Sequence, residues 1–323
     1  MGNNRIHRRK QIKRRNRKSG ILIFVSIILV SLILIASHIR NIYTQLNEIE
    51  NTLNRIEVLQ YTDDGISTNE HMEIDYVASI AAINVEKPIQ RTKSEVIQRL
   101  SILGQSNPII EDIYNNSLQY PDNLLSALAN NPEMADFVSR YTDEERNVAC
   151  NLTNLEKEQS FPLFLQWDPR WGYQSYGTES NIGLAGCGPT CISMMLFYLT
   201  RDEKLTPDRI AAYSMENDYY VEGTGTAWAL MEDMPKLYDI KVTNPKVSKR
   251  AMENVLNDGG IIICAMSEGD FTVSGHFIII YGYDMTGFMI NDPNCVARSN
   301  KRWTFEDLEH QIKNIWAYVR SVK

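Results

Sequence analysis

Of the five cysteines in this 323-residue chain, Cys187 has the setting of a nucleophile. It lies in Leu184-Ala185-Gly186-Cys187-Gly188-Pro189-Thr190-Cys191, and the apolar run Ile192–Leu199 that follows predicts a buried helix. Pro189 suits the first turn of that helix, where a missing N–H costs nothing. A thiol at a helix N-terminus faces unpaired N–H groups and the positive end of the macrodipole, which favour the thiolate. Gly186 and Gly188 on either side predict a sharp backbone turn with room for a substrate.

A thiolate nucleophile needs a proton carrier, usually histidine. The chain has His7, His38, His71, His276 and His310. The first three precede the body of the chain. In Phe305–Trp316, Leu308, Ile312, Ile315 and Trp316 form an apolar face that leaves His310 on the polar side. His276 remains. It opens the run Phe277–Tyr283, rich in β-branched and aromatic residues, which predicts a buried strand.

The turn Asp284–Gly287 folds the chain back into Phe288-Met289-Ile290-Asn291-Asp292-Pro293. A regular hairpin sets Asp292 opposite residue 279 or 280, a few residues from His276. Asp292 is therefore favoured over Asn291 as the group that orients the imidazole. An oxyanion would be met by the Cys187 N–H and by a side-chain amide, either Gln166 or Asn181; spacing does not choose between them.

Other chemistries fit less well. Cys187 and Cys191 could join Cys264 and His276 around zinc, but no second closely spaced pair accompanies them, so no metal or cofactor is expected. Gly223-Thr224-Gly225-Thr226 lacks the lysine of a phosphate loop and reads as a turn before a helix. Cys191, one helical turn beyond Cys187, reads as core packing.

A buried nucleophile helix packed on an antiparallel sheet that carries the histidine hairpin is an α+β fold. The motifs QWDPRWGYQSYG, GCGPTCISMMLFYL, GHFIIIYGYD and GFMINDP follow one another over about residues 161–320. In this order they resemble the papain-like cysteine peptidases, most of all family 39 of the cysteine peptidases, related to bacteriocin-leader-processing peptidases, and its free-standing relatives. The resemblance implies a papain-like fold with Cys187 as nucleophile, His276 as general base and acid, and Asp292 as orienter. It supports Gln166 as the oxyanion donor. Leader-processing members belong to transporters, whereas this chain shows one apolar segment and no nucleotide-binding loop, so cleavage after a double-glycine leader is not carried over.

Nine of the 33 Lys and Arg lie in residues 1–19, which hold no acid. Residues 20–37 are uncharged and apolar, long enough at about 1.5 Å per residue to cross a bilayer as a helix. The basic flank places the N-terminus in the cytoplasm and the rest outside. A signal peptide has a shorter apolar core, so an uncleaved anchor in the cell membrane is expected. The remaining 24 basic residues face 40 acids, which argues against nucleic acid as a partner.

The expected organisation is a basic cytoplasmic tail (1–19), a single transmembrane helix (20–37), an amphipathic or coiled-coil-like stalk (38–60), a linker (61–88), a helical spacer (89–158) and the peptidase domain (159–323). Ile42, Leu46, Ile49, Leu53 and Ile56 make a heptad seam along which two stalks could pair as a homodimer. The expected function is that of a membrane-anchored extracellular cysteine peptidase acting on peptide or protein substrates through a thioester. An inactive papain-like module that binds peptides or cell-wall material is the alternative, and amide transfer or stem-peptide hydrolysis would use the same residues.

Overall fold

The structure, a computed structural model, describes residues 76–80, 84–142 and 151–320, together with Ile35, Ile39 and Ile42. The chain divides into two units, Met1–Glu70 and His71–Lys323. In the first, the three isoleucines are helical and exposed. Among the described residues no helix is long and apolar enough to cross a membrane. Otherwise the segments read as tail, anchor and stalk lie outside the described residues, as do Cys150, His7, His38 and His71.

In the second unit four helices form a layer: α1 (Lys93–Gly104), α2 (Pro108–Asn115), α3 (Asp122–Asn130) and α4 (Ala135–Ser139). The starts of α1 and α2 follow from capping chemistry. Thr92 and Glu95 close a capping box, and Asn107 accepts from Ile109 and Ile110 ahead of a helix opened by Pro108. Leu124, Leu125, Leu128 and Ala129 turn the buried face of α3 inward, where Leu165 and Trp167 of the following domain complete the same apolar cluster.

The helix that begins at Cys187 is α5 (Cys187–Thr200). Beyond it come α6 (Pro207–Glu216), the ribbon β1 (Tyr220–Val221) and β2 (Gly225–Thr226), and α7 (Ala229–Lys236). A six-stranded antiparallel sheet follows, with α8 (Lys249–Asn257) between its first two strands in sequence. The strands are β3 (Ile240–Thr243), β4 (Ile261–Ser267), β5 (Gly275–Asp284), β6 (Gly287–Asn291), β7 (Arg302–Trp303) and β8 (Ile312–Arg320). They lie in the order β3-β8-β4-β5-β6-β7.

Both faces of this sheet are covered, which explains its unbroken apolar runs. Ile261, Ile263 and Ala265 of β4, with Phe277 and Ile279 of β5, pack with α5 in one core. Ile262, Cys264 and Met266, with Ile278 and Ile280, pack with Met252 of α8 in another. The fold is thus α+β with a helix packed on an antiparallel sheet, as the sequence predicts.

Two local readings change. Residues 305–316 do not share one face: Leu308 belongs to a short helix, Phe305–Glu309, and Ile312, Ile315 and Trp316 belong to β8. The capping box of Thr304 with Asp307 starts that helix, and the β-branched and aromatic content beyond it favours strand. Gly223–Thr226 is part of the β1–β2 ribbon and not a simple turn before a helix; Gly223 (φ 72°) and Gly225 (φ 96°) take the left-handed conformations its loop requires.

The QWDPRWG segment is a buried ionic knot. Arg170 donates to Glu156 at 2.6 and 2.7 Å and to Asp168 at 2.6 and 3.0 Å, and its guanidinium stacks 4.4 Å over Trp171. Removing one member of a buried ion cluster leaves uncompensated charge and costs about 3–5 kcal/mol. We expect Arg170→Met to lower unfolding stability by about that amount, read from urea midpoints, because Glu156 and Asp168 would face each other without a cation.

Candidate active site

Cys187 is the first residue of α5, and its N–H and that of Gly188 have no intrahelical carbonyl to bond. The thiol is partly exposed and lines a cleft of about 780 Å³ together with His276, Tyr220, Trp228 and Lys313. The glycines around Cys187 serve packing against protein, not the substrate room that the spacing suggests. A Cβ on Gly186 would lie 2.5 Å from the Ile182 carbonyl oxygen, and one on Gly188 would lie 2.6 Å from Thr226 Oγ1. Gly188 thereby brings β2 against the start of α5.

His276 stands at the mouth of β5, paired with Met266 of β4. Its Nε2 is 2.7 Å from Asp292 Oδ1. An ionised carboxylate only accepts, so Nε2 carries a proton. Cys187 is among the groups that raise His276, and Nδ1 is the ring nitrogen left to face it. One turn into α5, the buried Cys191 thiol donates to the Phe277 carbonyl at 3.4 Å, which ties the helix to the strand beside the histidine. Cys191 thus has the packing role its position predicts, with a polar stitch added.

Asp292 reaches His276 because the hairpin is irregular. The pairing runs Asp284 with Gly287 and Gly282 with Met289, then shifts so that Ile280 faces Ile290 and Ile279 faces Asn291. The extra residue, Tyr281, is a β-bulge that advances Asp292 one position further toward His276 than a regular hairpin allows. Asn291 points elsewhere: its Nδ2 donates to the Pro162 carbonyl at 3.1 Å. Between the two candidates, the structure brings Asp292 to the imidazole.

Asp292 is fully buried, and three partners hold its carboxylate. Oδ1 accepts from His276 and from the Asn294 N–H at 2.8 Å, and Oδ2 accepts from Arg298 Nε at 2.6 Å. Burial pushes this carboxyl up, but the charges of Arg298 and His276 reverse that and hold it at about 2. Burial likewise pulls His276 down, while Asp292, by charge and hydrogen bond, and Cys187 raise it to about 9. The pair therefore favours imidazolium beside carboxylate.

Gln166 and Asn181, the two amides open to the oxyanion role, are both engaged in the approach to α5. Gln166 Nε2 donates to the Gly183 carbonyl at 2.9 Å, and its N–H donates to the Pro293 carbonyl at 2.7 Å. Asn181 Oδ1 caps the short helix Ile182–Ala185 by accepting from Leu184. Neither amide lines the cleft. His310 is exposed on the surface beside Glu309. Among the described residues no cluster of metal-ligating side chains occurs, and Cys187, Cys191, Cys264 and Cys295 are unpaired.

Three residues escape the sequence reading. Arg298 and Ser299 sit on the one-turn helix Val296–Ser299 and hold Asp292, Ser299 through an Oγ that accepts the Asp292 N–H at 2.8 Å. A lone arginine six residues past an aspartate carries no signal until the turn between them is known. Trp228, 47% exposed in the cleft, packs edge-on against Trp316 at 5.3 Å. Its place right after the glycine-rich ribbon is a signal that could have marked it.

A helix-borne thiol and a sheet-borne histidine bonded to a carboxylate thus share one cleft. A family model described as the Peptidase_C39 like family matches residues 158–323, more than half of the chain, and the chain belongs to that family. Solved structures similar to it include the peptidase domain of Streptococcus ComA, a bi-functional ABC transporter involved in a quorum-sensing pathway. That similarity is 14% identity over 42% of this chain and 93% of the other, with a TM-score of 0.34. Another is a protein from Bacillus anthracis described as a C39-like peptidase, 15% identical over 55% of this chain and 100% of the other, with a TM-score of 0.34. No curated protein matches the chain.

The raised histidine makes stability depend on pH with a definite sign. Folded His276 releases its proton near 9 and the unfolded imidazole near 6.5, so the folded chain binds more protons between these values. The contribution is fully present below 6.5 and is lost as pH rises through 9. For Asp292 the contribution is present above 3.8 and is lost as pH falls through about 2. We expect urea midpoints of the wild type to fall from pH 6.5 to 9, and His276→Gln to flatten that slope.

Proposed function

We propose that the chain is a membrane-anchored extracellular cysteine peptidase that cleaves peptide bonds through Cys187, His276 and Asp292. The observation that carries this reading is one open cleft whose wall holds both the Cys187 thiol and an imidazole bonded to Asp292. In this reading the Cys187 proton is held by His276, and the sulfur attacks the substrate carbonyl carbon. The oxyanion that forms meets the Cys187 N–H at the start of α5.

The His276 imidazolium then protonates the leaving amine, the C–N bond breaks, and a thioester to Cys187 remains. Water attacks the thioester as His276 takes its proton. The thiolate leaves, the acid product departs, and the ion pair is restored. Asp292 keeps the charged imidazole in one orientation throughout.

The anchor rests on the uncharged stretch 20–37 and its basic flank, and the outward orientation on the charge asymmetry across it. Protease added to intact cells should then digest an epitope at the C-terminus and spare one at the N-terminus. For the substrate, the cleft offers the exposed face of Trp228, with Glu179 and Glu222 also on its wall, which suits peptides with apolar and basic side chains.

The chain should cut members of a mixed peptide library, with no turnover by Cys187→Ala. Iodoacetamide should label Cys187 rapidly at neutral pH and leave the buried Cys191, Cys264 and Cys295 unlabelled in the folded chain. A library left intact by the wild type, with Cys187 no more reactive than a free thiol, would reduce the domain to a binding module.

A further inference from the structure

Asp292 can serve His276 only if its carboxylate stays ionised and fixed in a site without water. The groups that hold it so trace back to the helical layer. Arg298 Nε and the Asn294 N–H fix the two carboxylate oxygens, so the group cannot rotate away from the imidazole. Arg298 is itself buried, and its one-turn helix is too short to hold itself.

The first N–H groups of that turn, on Val296 and Ala297, are accepted at 2.7 and 2.8 Å by the two carboxylate oxygens of Glu133. Glu133 belongs to the turn Pro132–Met134 between α3 and α4 and is only 4% exposed. Its neighbour Asn131 orients it by accepting its N–H at 3.2 Å. The Asn131 amide also donates to the Asn294 carbonyl, which Trp167 Nε1 reaches at 3.0 Å. Asn294 is thus tied directly to Asn131 and Trp167, and Arg298 is tied to Glu133 through the first two residues of its turn, with Cys295 and Trp303 holding its backbone.

We infer that Arg298 and Glu133 are positioning residues for the Cys187–His276–Asp292 centre, which makes the helical layer a working part of the active site and not a spacer. This rests on the function proposed above. The chain of action is specific: Glu133 fixes the turn, the turn fixes Arg298, Arg298 fixes Asp292, and Asp292 sustains the imidazolium that keeps the Cys187 thiolate reactive. A residue that acts only through Asp292 has no effect once Asp292 has lost its charge. A residue needed merely for stability acts equally in either background.

The test is a double-mutant cycle read by the rate of iodoacetamide alkylation of Cys187 in the full-length chain, scaled to the folded fraction by circular dichroism. The thiol reagent needs no known substrate. We expect Arg298→Met to slow alkylation about tenfold, Arg298→Lys to recover part of the loss, and Glu133→Gln to slow it about threefold. Gln can accept only one of the two N–H groups that the carboxylate now takes. In an Asp292→Asn background, Arg298→Met and Glu133→Gln should each change the rate less than about twofold.

Wild-type rates in both single variants, or equal factors of loss in the two backgrounds, would overturn the inference. If Arg298→Met does not fold, because it strands a buried carboxylate, Glu133→Gln and Arg298→Lys give the same reading. A wild-type thiol no faster than that of His276→Ala would instead defeat the catalytic reading itself. The two failures are therefore told apart by the wild-type rate alone.

Discussion

A carboxylate sealed from water has to be surrounded by donors, and Asp292 imposes this requirement on the structure around it. Without partners, the transfer of such a charge out of water would cost several kcal/mol. Here the donors come from three directions: the imidazole on β5, the backbone of Asn294, and the guanidinium on the turn after β6. None of these is free to move alone. The bulge at Tyr281 sets how far β6 runs along β5, and Glu133 sets where the turn ends.

That constraint explains the division of labour in the domain. The thiol belongs to a helix set in a largely apolar core, so α5 is placed mainly by packing. The histidine and the aspartate belong to a sheet and its loop, so they are placed by hydrogen-bond register and charge. The two halves meet at few polar points. Cys191 donating to the Phe277 carbonyl is one of them, one residue from the imidazole.

Much of this was legible in the order of residues where the signal was local. A cysteine between glycines before an apolar run marks a helix start, and a histidine ahead of Phe277–Tyr283 marks the mouth of a strand. The capping residues of α1 and α2 stand beside the helices they start. What could not be read depends on contacts between distant residues. A bulge leaves no mark in the composition of β5, so a regular register sets Asp292 one residue short. Glu133 and Val296 are 163 positions apart, and nothing near either residue names the other. The glycines beside Cys187 were visible, but their cause, the approach of Thr226 and Ile182, was not.

The position of β8 has a further consequence. The final strand of the chain does not add to an edge; it lies between β3 and β4, which are not neighbours without it. A ribosome delivers that strand after every other strand of the sheet, so β3 has no partner in the sheet until then. The sheet must close by insertion at its interior, a non-local step of the kind that slows folding. A nascent chain of this protein therefore carries its thiol well before it possesses the framework that governs it.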